Sequence, residues 1–183
     1  MLKEYERKCL LNKEKYSCVI DKLTELYGNE RKIQINYYYD TVDCKLASNG
    51  ETLRIRQIEN ELKLEYKHNK RKIDGVRICD EYTKNIISLP KTIKGSVLQY
   101  KSADEVFYCL GTLITERTNF EVEDVLISLD KNYYLGTVDY EIEIESEGFA
   151  DLPHAVKVLE INFNLDLPGK YSRFIKTLIS QKE

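Results

Sequence analysis

Histidine is scarce in this chain, since only His68 and His154 occur among its 183 residues. The two lie far apart in the sequence, so a histidine-based zinc site or a Ser-His-Asp triad is not expected. None of the five cysteines forms a CxxC pair. Scattered cysteines without a secretion signal are typical of small core side chains in a reducing compartment. We therefore predict a cytoplasmic protein.

Long apolar runs are also missing, and none reaches the length needed to span a membrane. The polar N-terminal segment is unlike a signal peptide. The net charge is only −3, although 32% of the residues are charged, so nothing favours a general nucleic-acid surface. We predict no membrane and no nucleic-acid partner. The length predicts a single domain over residues 1–183, as a monomer or a homodimer.

Two kinds of periodicity divide the chain into elements. Alternation with period two predicts eight strands, at residues 3–11, 33–41, 53–59, 61–67, 76–87, 111–122, 125–131 and 137–147. Helical spacing predicts helices at residues 12–28, 151–163 and 169–181. An S-x-x-E capping box at Ser102 and Glu105 predicts one more short helix, through Leu110.

The polar faces of these strands separate charges by sign. One group is acidic except for Lys8, and its carboxylates are Glu4, Glu6, Asp130, Glu141, Glu143 and Glu145. The other is basic except for Glu65, and its cations are Arg54, Arg56, Lys63, Lys67 and Arg117. Clustered carboxylates without histidine or thiolate suit Mg²⁺ or Mn²⁺, and clustered Arg and Lys suit phosphate oxygens. A metal-polyphosphate ligand would satisfy both groups.

Two architectures fit the alternating faces. The first is an open antiparallel sheet with helices on one side and water on the other. The second is a closed eight-stranded barrel with the charged faces inside. Periodicity alone slightly favours the open sheet, whereas a closed lumen of segregated charge would need a highly charged ligand to balance it.

The N-terminal pattern Glu4-x-Glu6-x-Lys8 resembles the ExExK signature of the CYTH superfamily, the triphosphate tunnel metalloenzymes. Further similarities to this family follow in order at residues 39–41, 50–56, 62–64, 67, 117, 130, 134–136 and 141–143. Residues 169–174 resemble the C-terminal helix of its small bacterial members. The resemblance therefore covers nearly the whole chain.

The resemblance implies an α+β fold, in which an eight-stranded antiparallel β-barrel forms a tunnel with a charged lumen and α-helices cover its outside. It implies hydrolysis of a triphosphate with Mg²⁺ or Mn²⁺, and inorganic triphosphate is the first choice of substrate. The metal would be held by Glu4, Glu6, Asp130, Glu141 and Glu143. Phosphates would be held by Lys8, Arg54, Arg56, Lys63, Lys67 and Arg117, with Lys170 and Arg173 at a tunnel end. The residues expected to be catalytic are Glu4, Glu6, Lys8, Arg54, Arg56 and Glu143.

Other activities stay open beside inorganic triphosphate hydrolysis. The family also includes thiamine triphosphatases and class IV adenylate cyclases, and a nucleoside triphosphatase would use the same triphosphate grip. The sequence defines no thiamine or adenine pocket, which places these activities second and the cyclase third. A non-catalytic domain that binds polyphosphate or another anion is the remaining alternative, and it predicts phosphate binding without metal dependence.

Overall fold

The computed structural model describes residues 2–73, 76–98, 102–123, 125–146, 157, 161 and 167–181. Its strands are β1 (Leu2–Leu11), β2 (Glu30–Asp40), β3 (Thr52–Ile58), β4 (Glu61–Ile73), β5 (Val76–Ile86), β6 (Thr92–Lys94), β7 (Val106–Val122), β8 (Val125–Tyr134) and β9 (Thr137–Ser146). Its helices are α1 (Lys13–Tyr27), α2 (Lys45–Ser48) and α3 (Lys170–Ser180), with a 3₁₀ turn at Gly95–Val97. All eight predicted strands are confirmed, whereas the short β6 and α2 were not predicted.

Two of the predicted helices are confirmed as α1 and α3. The side chain of Asn12 caps α1 by accepting a hydrogen bond from the backbone N–H of Lys15 at 2.7 Å. The predicted helix at 151–163 lies almost entirely outside the described residues. None of the described helices has both the length and the apolar character needed to cross a membrane.

The predicted helix after Ser102 is wrong, because β7 begins at Val106. Ser102 and Glu105 form only a turn, in which the Glu105 N–H donates to the Ser102 carbonyl at 3.2 Å. Phe107 is fully buried in an apolar cluster, and this segment pairs with β6 on one side and β2 on the other. Burial and strand pairing therefore override the local capping signal.

Eight of the strands form a closed antiparallel ring. Their order is β2-β3-β4-β5-β1-β9-β8-β7, and β7 pairs with β2 again. This closing ladder is long, extending from Glu30 opposite Asn119 to Asp40 opposite Tyr108. The open-sheet interpretation is therefore wrong, and the tunnel that the family resemblance implies is confirmed. β6 pairs with β7 outside the ring.

Alternation along the strands gives the ring a polar inner face and an apolar outer face. On β9, Ile142 and Ile144 point outward and are buried against Val19 and Leu23 of α1. Their neighbours Glu141, Glu143 and Glu145 occupy the alternate, inner positions of the same strand. Helix α1 thus covers the outside over β7 to β9, as the resemblance implied.

Helix α3 lies elsewhere, across one end of the ring interior. Its Tyr171 and Phe174 pack on the inward-facing Tyr38, with ring centroids 4.8 and 5.2 Å apart. Phe174 also lies against Gly111, where a Cβ atom would come within 2.9 Å of the ring and where φ is +151°. The close approach and the backbone conformation both require glycine there.

A buried carboxylate fixes α3 to the ring. Asp40, at the end of β2, accepts hydrogen bonds from the N–H groups of Leu46 and Ala47 in α2, each at 2.9 Å. It also accepts the Tyr171 hydroxyl of α3 at 2.6 Å. One side chain therefore ties β2, α2 and α3 together and sets the position of α3 at the end of the tunnel.

Candidate active site

The ring encloses a cavity of about 590 Å³ whose wall is mostly polar. The predicted site residues that line it are Glu6, Lys8, Arg54, Arg56, Lys63, Lys67, Arg117, Glu143 and Lys170. Glu65, Glu81 and Glu145 line it as well. The backbone of Glu4 lies on β1 opposite Cys79, but its side chain is outside the described part of the structure.

Arg54 and Arg56 on β3 form the basic wall together with Glu65 on β4. Arg54 contacts the Glu65 carboxylate at 2.7 Å through both Nε and Nη2, and Arg56 Nη1 lies 3.5 Å from its other oxygen. Burial alone would lower the pKa of Arg54, but the Glu65 carboxylate offsets this and holds that pKa above its usual value. Glu65 therefore orients both guanidinium groups and keeps Arg54 charged.

The lysines of the basic wall have different environments. Lys67 Nζ lies 3.8 Å from Glu81 Oε2 on the neighbouring strand β5. Lys63 lines the cavity with an exposed side chain. Both lysines face inward, because they alternate with Leu64 and Tyr66, which are buried in the outer core.

The acidic strands β8 and β9 hold an ion-pair network deep in the ring. Arg117 grips the fully buried Asp130 with two hydrogen bonds, at 2.8 and 2.6 Å, and also contacts Glu143. Lys170 of α3 lies 2.8 Å from Asp130 and 2.7 Å from Glu143. The first residue of α3 thus places its ammonium group between two strands of the ring.

Glu141 and Arg173 form a second part of this network. Arg173 Nη2 lies 2.5 Å from Glu141, and the same guanidinium bonds Asp139 at 3.0 Å. Burial raises the pKa of Glu141, and Lys170 only partly opposes that rise. Asp130, Glu141 and Arg173 do not line the cavity. Asp130 and Glu141 lie on the inner face of the ring against Lys170, which does line it.

Three carboxylates come together at the cavity surface. Side-chain oxygens of Glu6, Glu143 and Glu145 lie within 4.8 Å of one another. The sheet register explains this, because Glu6 on β1 pairs directly with Glu145 on β9, and Glu143 is two residues from Glu145. We call these residues the carboxylate triad. Its donors are all oxygens, which fits a hard divalent cation.

Burial alone would raise the pKa of Glu143, but Lys170, Arg117 and Lys8 hold it well below its usual value. Burial acts in the same direction on Glu6, and Lys8 at 2.5 Å reverses the effect, so the pKa of Glu6 is also lowered. Both carboxylates are therefore charged at neutral pH, in the form that binds a cation.

Several residues that line the cavity lie beyond the predicted sets, among them Glu65, Glu81, Glu145 and Tyr38. Glu145 was identified only as an extension of the acidic row, and its place in the Glu141-x-Glu143-x-Glu145 alternation was the available signal. Tyr38 also lines the cavity. Its signal was its position on the polar face of β2, which it shares with Gln34 and Asn36.

Comparison with known proteins supports this architecture over nearly the whole chain. The family model for the CYTH domain matches residues 2–174. YjbK of Bacillus subtilis, a candidate triphosphatase, is 26% identical over 168 residues, covering 88% of this chain and 87% of that protein.

Among solved structures, a candidate adenylate cyclase from Bacillus halodurans is 27% identical with a TM-score of 0.69, over 95% of this chain and 99% of the other. HpAC1 from Hippeastrum, a candidate adenylyl cyclase described as having a dominant triphosphatase activity, has the same TM-score at 21% identity, over 96% of both chains. At that identity the second likeness shows the fold alone.

Proposed function

The chain belongs to the CYTH domain family, and on that premise we propose that it is a divalent-metal-dependent triphosphatase. Its first substrate is inorganic triphosphate, cleaved to diphosphate and orthophosphate. The observation that carries this proposal is the pairing of opposite walls in one cavity. Strand β3, with Arg54 and Arg56, is four strands from β9 in either direction around the ring of eight, so the arginines face the carboxylate triad across the lumen.

The triad is the proposed cation site. Glu6, Glu143 and Glu145 would hold Mg²⁺ or Mn²⁺ through carboxylate oxygens, and Glu4 is a further proposed ligand because it alternates to the same face of β1 as Glu6. When bound, the cation would offset charge on the phosphate oxygens as the phosphoanhydride bond breaks. Asp130 and Glu141 are proposed to support the site by holding Lys170, Arg117 and Arg173 in place through direct ion pairs.

The cations on the wall are proposed to hold the phosphates. Arg54 and Arg56 bind phosphate oxygens bidentately, and Lys8, Lys63, Lys67, Arg117 and Lys170 add charge around the chain of phosphates. Because Glu65 already orients both arginines, they lose less conformational freedom when substrate binds. Positioning and electrostatic stabilisation of the departing phosphoryl group would supply most of the rate acceleration.

Adenylate cyclase is a further candidate, ranked after the other triphosphatases, since relatives with this fold carry that name. A cyclase needs room to hold an adenine ring and a 3′-hydroxyl. The aromatic rings of the described cavity wall, Tyr38 and Tyr171, pack against each other at 4.8 Å. This packing supports a substrate without a base, such as inorganic triphosphate, over ATP.

A panel of substrates tests the proposal. Inorganic triphosphate, thiamine triphosphate and ATP are each incubated with Mg²⁺ or Mn²⁺, and orthophosphate, pyrophosphate and cyclic AMP are quantified. We expect orthophosphate to be released fastest from inorganic triphosphate, with no cyclic AMP from ATP. Cyclic AMP formed at a rate equal to phosphate release would instead favour the cyclase. Tight binding of triphosphate without turnover would favour a non-catalytic binder.

A further inference from the structure

We propose that the N-terminus of α3 and the phenol of Tyr38 form an anion subsite that takes one terminal phosphoryl group of the substrate. The donors are the backbone N–H groups of Lys170, Tyr171 and Ser172 together with the Tyr38 hydroxyl. This inference rests on the proposed triphosphatase function for the identity of its ligand. It adds a site at the α3 end of the tunnel that is separate from the carboxylate triad.

The first turn of α3 presents N–H groups that its own helix cannot satisfy. Its N-cap is Gly169, no side chain of the described residues caps it, and its first turn contains no acidic residue. The first backbone bond of the helix joins the Arg173 N–H to the Gly169 carbonyl at 3.0 Å. Residues 169–172 line the cavity, so this uncapped end, which carries the positive pole of the helix dipole, faces the substrate space.

Tyr38 independently indicates a ligand in the same cavity. The residue is fully buried and lines the same cavity, yet its hydroxyl proton has no acceptor among the described groups. Buried hydroxyl groups nearly always have a partner. Packing of its ring on Tyr171 and Phe174 fixes this hydroxyl relative to α3.

The charged groups around the Tyr38 phenol indicate which kind of hydrogen-bond partner would suit it. Burial raises the pKa of Tyr38, while the nearby cations Arg54 and Lys170 oppose that rise. Both neighbours are donors that cannot accept a hydrogen bond. The hydroxyl proton thus has no acceptor among the described groups, and an anionic phosphoryl oxygen in the cavity would supply one.

The neighbouring cations are already compensated by carboxylates. Lys170 lies against Asp130 and Glu143, and Arg54 lies against Glu65. The subsite therefore adds neutral donors, the three N–H groups and the phenol, to a wall whose charges are largely paired. Such donors recognise the oxygens of a phosphoryl group by geometry, and their contribution does not depend on a bound metal.

Calorimetric titration of inorganic triphosphate, and separately of orthophosphate, into protein in EDTA tests the subsite. The first variant is Ser172→Asp, which places a carboxylate in the first turn of α3. Because the helix dipole stabilises a negative charge there, we expect an unchanged or raised melting temperature. The same charge would repel the phosphoryl oxygens, so we expect an affinity for triphosphate lowered by roughly tenfold or more. The matched neutral variant Ser172→Asn should retain the affinity of the wild type within about twofold.

The second variant is Tyr38→Phe, which removes only the hydroxyl. Loss of a hydrogen bond to a charged group predicts an affinity lowered by roughly 10- to 100-fold. The control is Tyr37→Phe, since the Tyr37 hydroxyl donates to Gln57 at 3.0 Å on the outer face of the ring. This control should bind triphosphate like the wild type.

The outcomes separate the subsite from the proposed function. If the wild type binds neither anion in EDTA, or if Ser172→Asp and Tyr38→Phe bind both as well as the wild type, the subsite is wrong. Triphosphatase activity measured in the same preparations then still supports the proposed function. If both variants lose binding while the wild type hydrolyses none of the triphosphates tested, the subsite stands and the proposed function fails.

Discussion

Replacement of Glu143 by Gln should destabilise the metal-free protein, because Glu143 is paired with cations on several sides. Its two oxygens contact Lys170 at 2.7 Å and Arg117, and Lys8 lies 3.6 Å away. The side chain is only 7% exposed. Removing one partner of a buried ion pair costs about 3–5 kcal/mol. For a protein of this size that corresponds to a fall in melting temperature of roughly 6–20 °C.

Glu145→Gln is the matched control, since Glu145 belongs to the same carboxylate triad. Its side chain is 26% exposed, and its ion pair with Arg117 is longer, at 3.9 Å. The loss of this long, partly exposed pair costs about 1 kcal/mol, well below the cost expected for Glu143. Both variants should lose the stabilisation conferred by a divalent cation, which for the wild type is about 2.7 kcal/mol at a cation concentration 100 times the Kd.

Thermal melts in EDTA and in excess Mg²⁺ or Mn²⁺ measure both effects for each protein. We expect Glu143→Gln to melt far below Glu145→Gln in EDTA, and neither to be stabilised by the cation as the wild type is. Equal melting temperatures of the two variants in EDTA would refute the ion-pair role of Glu143. A full cation-induced rise in both variants would refute the triad as the cation site.

Other substitutions test the remaining parts of the account. Arg54→Ala and Arg56→Ala should each raise KM for the triphosphate, and Lys should substitute poorly at either position because it cannot bind bidentately; wild-type steady-state kinetics would remove these arginines from the site. Ile142→Ala, in the outer core, should lower the free energy of unfolding by about 2–5 kcal/mol in urea denaturation, while kcat of the folded protein stays near normal. A large fall in kcat of the folded protein would contradict the separation of the inner and outer faces. Tyr171→Phe should lower the free energy of unfolding by about 1–3 kcal/mol, since Asp40 loses a buried donor; an unchanged unfolding midpoint would show that this bond does not anchor α3.

The strands were predictable from sequence because side-chain alternation is a local property. Closure of the ring was not, since the same alternation suits an open sheet and β2 meets β7 across about 80 residues of chain. The family resemblance supplied what periodicity could not. The capping box before β7 failed for the related reason that strand pairing on both sides outweighs a local helix signal.

The ionic site was predictable in its composition but not in its pairing. The separation of acidic from basic strands in the sequence, taken alone, places Glu143 among like charges. In the structure Arg117 is directly opposite Asp130 on the neighbouring strand, and α3 brings Lys170 into the acidic group. That second contact depends on the anchoring of α3 through Asp40, which no local pattern encodes.

We propose that the carboxylate triad and the basic wall act together on a metal-bound triphosphate. The most direct test of this proposal is orthophosphate release from inorganic triphosphate by EDTA-treated protein, measured while Mg²⁺ or Mn²⁺ is titrated back. We expect no release without the cation, saturable recovery with it in the wild type, and no recovery in Glu145→Gln. Equal release with and without the cation would contradict the proposal, as would full recovery in that variant.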